Sequence, residues 1–285
     1  MLVCRDIAGI RAAVAAYRAA GEDVGLVTTM GALHAGHMAL VAAAKAARDR
    51  VVATIFVNPT QFGNAVDLEK YPRTEAADLT MLEAAGVDAV FIPSVEEMYP
   101  PGDETIVETI KLANMLHGVV RPGHFRGVAT VVTKLFNIVQ ADAAWFGEKD
   151  YQQLQVIRRM VRDLHMPITI HAVPTLREAD GLAMSSRNVR LSAEDRQAAT
   201  VLHRALERAA TLAAGGATVE DMRAGIAAEI GAEPRARLKA VDIVAADTLA
   251  PVAGPPDGPL AIMLSVAFGP PAAEVLLIDQ REIGK

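Results

Sequence analysis

Val24-Gly25-Leu26-Val27-Thr28-Thr29-Met30-Gly31-Ala32-Leu33-His34-Ala35-Gly36-His37 carries an apolar β pattern straight into an alanine-rich helical one. We read a strand over 24–29 and a helix over 36–49, the first unit of an alternating β and α chain. His34 and His37, three apart, share a helix face. The first-turn N–H groups of a helix lack intrahelical partners and attract anions. Gly36 lets a phosphate come close, so the segment marks a candidate phosphate site. Taken alone, the four residues 34–37 read equally well as a helix cap.

Outward from this unit the alternation continues. Strands are expected near 51–57, 88–92, 142–146 and 168–173, and helices over 6–20, 73–86, 127–140 and 150–164. That is the pattern of a parallel sheet covered by helices, a Rossmann-like α/β domain over 1–175. After Pro174 the order changes: helical patterns at 193–214 and 218–230 precede strand-like runs at 238–245, 260–267 and 274–279. A smaller α+β domain over 176–285 is expected there. Pro251 to Pro259 reads as a loop between strands.

The chain has 285 residues, enough for two domains with cores of their own. Its net charge of −6 argues against broad nucleic-acid binding, which needs clustered cations. The single cysteine, Cys4, forms no internal disulfide, which favours a reducing cytoplasm. The N-terminal residues lack a signal core. Leu249 to Ala273, the nearest approach to an apolar span, is broken by prolines, glycines and Asp257. No membrane association is expected.

In open parallel sheets, functional loops lie beyond the carboxyl ends of the strands, here the segments following 29, 57, 146 and 173, and these, with one turn ahead of the helix at 127–140, carry chemistry. Asn58-Pro59-Thr60-Gln61-Phe62-Gly63 offers two amides that can read hydroxyl and carboxylate groups, or a plain Asn-Pro turn. Gly147-Glu148-Lys149-Asp150-Tyr151-Gln152-Gln153 presents Lys149 as a point charge suited to phosphate, with Gln153 on the same face as Asp150. A charged, capped helix start reads as well. Arg177 to Asn188 gathers Met184, Ser185, Ser186 and Arg187, hydroxyls beside a guanidinium that can grip an oligophosphate or form a polar turn. Arg121-Pro122-Gly123-His124-Phe125-Arg126-Gly127 reads as an anion-gripping lid or as a solvated basic loop.

Six ordered segments together resemble the pantothenate synthetase, or pantoate–β-alanine ligase, family across nearly the full chain. They are Met30 to His37, Phe56 to Phe62, Tyr71-Pro72-Arg73-Thr74, Arg121 to Gly127, Phe146 to Asp150 and Gly181 to Asn188. In the wider nucleotidyltransferase superfamily the His-x-Gly-His and Met-Ser-Ser-Arg segments match the paired HIGH and KMSKS signatures. The resemblance implies ATP contacts from Met30, Gly31, Ala32, Leu33, His34, Ala35, Gly36 and His37. It also implies them from Gly147, Glu148, Lys149 and Asp150 and from Met184, Ser185, Ser186 and Arg187, with Leu176 near the adenine. By the same likeness His37 is the proton donor. His34, Lys149, Ser185, Ser186 and Arg187 share the catalytic work, and Gln61 and Gln153, with Asn58, hold pantoate and β-alanine.

The implied reaction condenses (R)-pantoate with β-alanine to pantothenate, AMP and pyrophosphate through a pantoyl adenylate. ATP is co-substrate with Mg²⁺, whose protein ligands are left unassigned. A cytoplasmic homodimer, with the smaller domain closing over the site, completes the expectation. Two departures stand out: Thr29 replaces a common proline, implying a less rigid turn, and the carboxylates after Tyr71-Pro72-Arg73 are reduced to Glu75 and Asp78. The competing readings are another adenylyl-transferring ligase or nucleotidyltransferase, and a nucleotide-binding regulator without turnover.

Overall fold

The computed structural model describes residues 1–63 and 68–284. The chain packs as two compact units, Met1–Gly147 with Gln152–Val173, and Glu148–Tyr151 with Pro174–Lys285. The sequence reading places 148–151 with the first unit. That piece joins the second because the buried Tyr151 hydroxyl lies 2.9 Å from Ala246 O and 3.0 Å from the Glu282 carboxylate.

In the first unit, strands β1 (Leu2–Cys4), β2 (Val24–Thr29), β3 (Arg50–Ile55), β4 (Ala89–Phe91), β5 (Ala143–Gly147) and β6 (Thr169–Val173) form one parallel sheet. Its order is β1-β4-β3-β2-β5-β6. The helices are α1 (Ile7–Ala19), α2 (Ala35–Ala47), α3 (Glu75–Ala84), the short α4 (Val95–Met98) and α5 (His117–Val120), α6 (His124–Val139) and α7 (Tyr151–Asp163), which begins in the second unit. Because helices cover the sheet, its inner strands read as nearly continuous apolar runs rather than alternating ones. Val27, Val51, Ala53, Val90 and Trp145 pack with Leu40, Val41 and Ala44 of α2 in one core cluster. Each large aliphatic buried there is worth about 1.5–3 kcal/mol.

The chain moves from β2 outward through β3 to β4, then returns to the other side of β2 for β5. Strand order therefore reverses at the carboxyl ends of β2 and β5, where open α/β sheets bind ligands. At the opposite, amino ends, Arg50 pairs with Glu22 and Asp88, and Lys45 with Asp88.

The second unit stacks α8 (Ala193–Ala198), α9 (Val201–Ala214) and α10 (Val219–Gly231) with an antiparallel sheet of β7 (Arg237–Ala245), β8 (Leu260–Phe268) and β9 (Val275–Ile283). Leu202, Leu206, Met222, Ile226, Ile262, Leu264 and Phe268 fill its core.

Element ends shift by up to four residues from the sequence reading, and four differences have a local cause or consequence. β1 is too short to show a period, and its pairing with β4 alone makes it a strand. The pattern at 193–214 is two helices with a break at Ala199–Thr200. The final strand runs on to Ile283, in register with β8 as far as Leu260. Helix α6 starts at His124 because Gly123 takes a left-handed φ of 80° that reverses the chain just before it.

Candidate functional site

The loop after β2 is held by several side-chain hydrogen bonds. Gly31 and Ala32 both take left-handed φ values, 79° and 51°. Their N–H groups and that of Leu33 all end on side-chain oxygens. Gly31 N–H donates to Thr29 Oγ1 at 3.1 Å, Ala32 N–H to Asp78 Oδ2 at 3.0 Å and Leu33 N–H to Asp78 Oδ1 at 2.9 Å. Thr29 Oγ1 in turn donates to Thr54 O at 2.7 Å. The expectation of a looser turn at Thr29 is thereby corrected: its hydroxyl ties the turn to the neighbouring strand in a buried place.

Helix α2 follows, and His34 caps it. His34 Nδ1 accepts from Gly36 N–H at 3.1 Å, and His37 Nδ1 accepts from His34 N–H at 3.3 Å, a capping box built from two imidazoles. The cap and phosphate readings of this segment therefore describe the same rings. A ring nitrogen that accepts carries no proton, so the hydrogen of each imidazole sits on Nε2. The rings lie 4.1 Å apart, centroid to centroid. The expected anion site at bare first-turn N–H groups is modified accordingly. Gly36 N–H is taken by an imidazole and His37 N–H by His34 O at 2.9 Å, which makes the ring Nε2–H groups the donors suited to a phosphate.

The loop after β3 is a second built feature. Asn58 is 1% exposed and every valence of its amide is used. Nδ2 donates to Gln61 Oε1 at 3.0 Å and Gly127 O at 3.2 Å, while Oδ1 accepts from the Tyr99 hydroxyl at 2.8 Å and the Thr60 hydroxyl at 3.0 Å. The expected substrate contact at Asn58 is thus corrected to a scaffold role, since no group is left on it for a ligand. Its donation to Oε1 fixes the Gln61 amide, sending Nε2 to Met30 Sδ at 3.2 Å. Burial raises the Tyr99 phenol above its ordinary range, which keeps it a hydroxyl donor to Asn58.

The Arg121–Gly127 segment leaves Arg121 and Arg126 exposed but is anchored from within. It drives His124 into the interior, where Nδ1–H donates to Gln61 O at 2.9 Å and Nε2 faces Arg121 at 3.1 Å. Gly127 is needed at this contact, because a Cβ there would stand 2.5 Å from Thr60 O and 2.7 Å from Gln61 N. Gln153 is half-buried on α7. Its neighbour Gln152 bonds Leu112 O, Met115 O and His117 N–H, and among the described residues no hydrogen bond joins Gln153 to Gln61.

The second unit carries the remaining residues. Glu148, Lys149 and Asp150 form one turn after Gly147, and the Lys149 side chain is 19% exposed with Nζ 3.7 Å from Asp150 Oδ2. Leu176 O accepts from Met184 N–H at 2.9 Å, and Arg177 bridges Ala183, so 176–184 closes as a small hairpin. Arg177 is engaged by the buried Asp279 at 2.7 and 3.0 Å. Glu178 and Asp180 hold Arg196. Arg177, Glu178 and Asp180 therefore shape this segment, in which Ser186 is half-buried. Ser185 Oγ accepts from Arg187 N–H at 3.2 Å, a polar turn that still leaves the hydroxyl hydrogen to donate, and Arg187 reaches Leu276 O at 3.1 Å.

Among the described residues no group of three or more His, Cys, Asp or Glu is placed to hold a metal ion. Asp78 is committed to peptide N–H groups and Glu75 to Arg5. No helix is long and apolar enough to cross a membrane. Sequence reasoning missed the roles of His124, Tyr99 and Gly127. It noted Asp78 only as the remnant of an acidic cluster.

The pantoate-beta-alanine ligase family model matches residues 2–282. The pantothenate synthetase of Agrobacterium fabrum is 51% identical over 288 residues, covering 100% of this chain and 97% of that protein. The crystal structure of pantothenate synthetase from Thermus thermophilus superposes with a TM-score of 0.92 at 45% identity, covering both chains fully. The pantoate-beta-alanine ligase of Francisella tularensis, complexed with β,γ-ATP and β-alanine, gives 0.78 at 32% identity over 99% of this chain and 97% of that one.

Proposed function

The chain belongs to the pantoate–β-alanine ligase family, and from that premise we propose how its residues divide the work of joining pantoate to β-alanine with ATP. The observation that carries the assignment is the pair of imidazoles at the carboxyl end of the central strand, each with Nδ1 held by a peptide N–H and its proton on Nε2.

In the first half-reaction a pantoate carboxylate oxygen attacks the α-phosphorus of ATP. The bond to the bridging oxygen breaks, and pyrophosphate departs. Charge develops on the α-phosphate oxygens and the leaving group, and preorganised donors there stabilise the transition state more than the ground state. His34 and His37 supply Nε2–H donors, with His37 as the proton donor. Lys149 supplies a point charge, and Ser185, Ser186 and Arg187 supply hydroxyl and guanidinium donors. Residues 30–37, 147–150 and 184–187 hold the nucleotide, with Leu176 beside the adenine.

Pantoate is held by Gln61 and Gln153. The support for Gln61 is its fixed amide: Nε2 rests on a thioether, a weak acceptor that a carboxylate or hydroxyl oxygen outcompetes. Asn58 acts by holding that amide. In the second half-reaction the neutral amine of β-alanine attacks the acyl carbon of pantoyl adenylate and AMP leaves.

The described residues do not form a cage for Mg²⁺, so we assign the ion to the triphosphate and water, its usual partners in nucleotide sites, and route no step through it. A homodimer is proposed because closed two-fold assemblies are the commonest form of soluble oligomer. A cytoplasmic setting fits the lone buried thiol of Cys4.

Pyrophosphate release that requires pantoate tests the assignment. Release with pantoate absent points to another nucleotidyltransferase, and no release under any condition points to a binding protein.

A further inference from the structure

Three consecutive peptide N–H groups, those of Gly31, Ala32 and Leu33, lie between the central strand and the histidine pair, and each ends on an oxygen of Thr29 or Asp78. Peptide donors at such a place serve phosphate in many nucleotide sites. Here they are withdrawn from that use by the protein itself. Ala32 holds φ at 51°, a conformation that disfavours any residue with a Cβ. It persists only where the surroundings over-determine it. Asp78 is 2% exposed and sits in the first turn of α3, where Thr74 Oγ1 donates to Oδ1 at 3.1 Å, so the carboxylate is aimed before it meets the loop.

We propose that Asp78 and Thr29 are positioning residues of the adenylation step. Together they hold the Gly31–Ala32 turn in its left-handed form, and the turn sets where α2 begins and hence where the His34 and His37 rings point. The inference rests on the role proposed above for those histidines.

The carboxylate is required rather than merely a polar side chain. It accepts with both oxygens, whereas the amide of an Asp78→Asn variant accepts with one and sets an NH₂ against the other N–H. At Thr29 the hydroxyl both donates to Thr54 O and accepts from Gly31 N–H. Serine keeps that pattern and valine strands both partners.

The test measures pantoate-dependent exchange of labelled pyrophosphate into ATP by the full-length chain, beside amide hydrogen exchange at residues 31–33. Asp78→Asn is expected to lower the maximal exchange rate while the pantoate KM stays within about twofold, and to expose the Ala32 and Leu33 amides. Ala32→Gly, which relieves the left-handed conformation, is expected to recover about tenfold of the lost rate in the Asp78→Asn background. Thr29→Val should repeat the loss and Thr29→Ser should not, which keeps the test open if Asp78→Asn fails to fold.

Unchanged exchange in both Asp78→Asn and Thr29→Val would overturn the proposal. So would loss without recovery by Ala32→Gly while the α2 amides stay protected, or recovery by added Mg²⁺, which would make Asp78 a ligand of the ion. Failure of the unmodified chain to exchange would instead remove the functional assignment, and the amide protection pattern would still judge the clamp.

Discussion

Gly127→Ala strikes the candidate pantoate pocket without touching any group proposed to meet a ligand. The added Cβ falls 2.5 Å from Thr60 O and 2.7 Å from both Thr60 C and Gln61 N, all backbone atoms with no rotamer to change. Ordinary contact begins near 3.4 Å, so helix α6 and the Pro59–Gln61 turn must separate by roughly 1 Å. Two bonds cross that contact, Asn58 Nδ2 to Gly127 O at 3.2 Å and His124 Nδ1 to Gln61 O at 2.9 Å, and both lengthen with it. Overpacking of this kind costs about 1–3 kcal/mol of stability. A 1 Å misplacement of a substrate-holding group costs about 10²-fold in rate. We expect kcat/KM for pantoate to fall about 100-fold with ATP binding preserved, read by steady-state kinetics and by calorimetry with ATP. A folded Gly127→Ala variant whose kcat/KM for pantoate lies within about threefold of the parent would refute the reasoning that this contact aims Gln61.

His37→Ala and Lys149→Ala should each lower kcat by the equivalent of about 2.7–4 kcal/mol with folding intact, as for other donors that act on transition-state charge; near-normal turnover would return either residue to a structural role. The Ser185→Ala/Ser186→Ala double variant should weaken ATP handling more than pantoate handling, and unchanged ATP binding in calorimetry would leave Ser185 as a turn residue only. At the foot of the sheet, burial alone would raise the Asp88 carboxyl, but the Val51 N–H, Arg50 and Lys45 outweigh it and hold the group below the usual aspartate range. The stability this adds is whole above about pH 4 and is lost as the pH falls through the depressed value. Thermal melts of Asp88→Asn should therefore show a shallower decline on the acid side than the parent.

Much of the fold was legible because parallel strands buried on both faces read as short apolar runs, as Val24–Thr29 and Arg50–Ile55 do. The histidine pair was legible from its spacing and its place after β2. Its tautomers were not, because they follow from which peptide N–H each ring accepts. Asn58 looked like a ligand contact by residue type, and only its four filled hydrogen bonds show it to be scaffold. His124 was hidden in a motif that reads as basic and solvated, since nothing local to Arg121–Gly127 reveals that the carbonyl of Gln61 lies beneath it. Thr29 and Asp78 were hidden for a related reason. Their partners are peptide groups, which leave no trace in the sequence.

The most direct measurement is exchange of labelled pyrophosphate into ATP with pantoate present and β-alanine withheld. Because the carboxylate attacks ATP before the amine is needed, the first half-reaction is reversible on its own, and label is predicted to enter ATP at a rate that saturates with pantoate. Entry of label only when β-alanine is supplied would contradict a separately formed pantoyl adenylate, and with it the division of labour assigned to these residues.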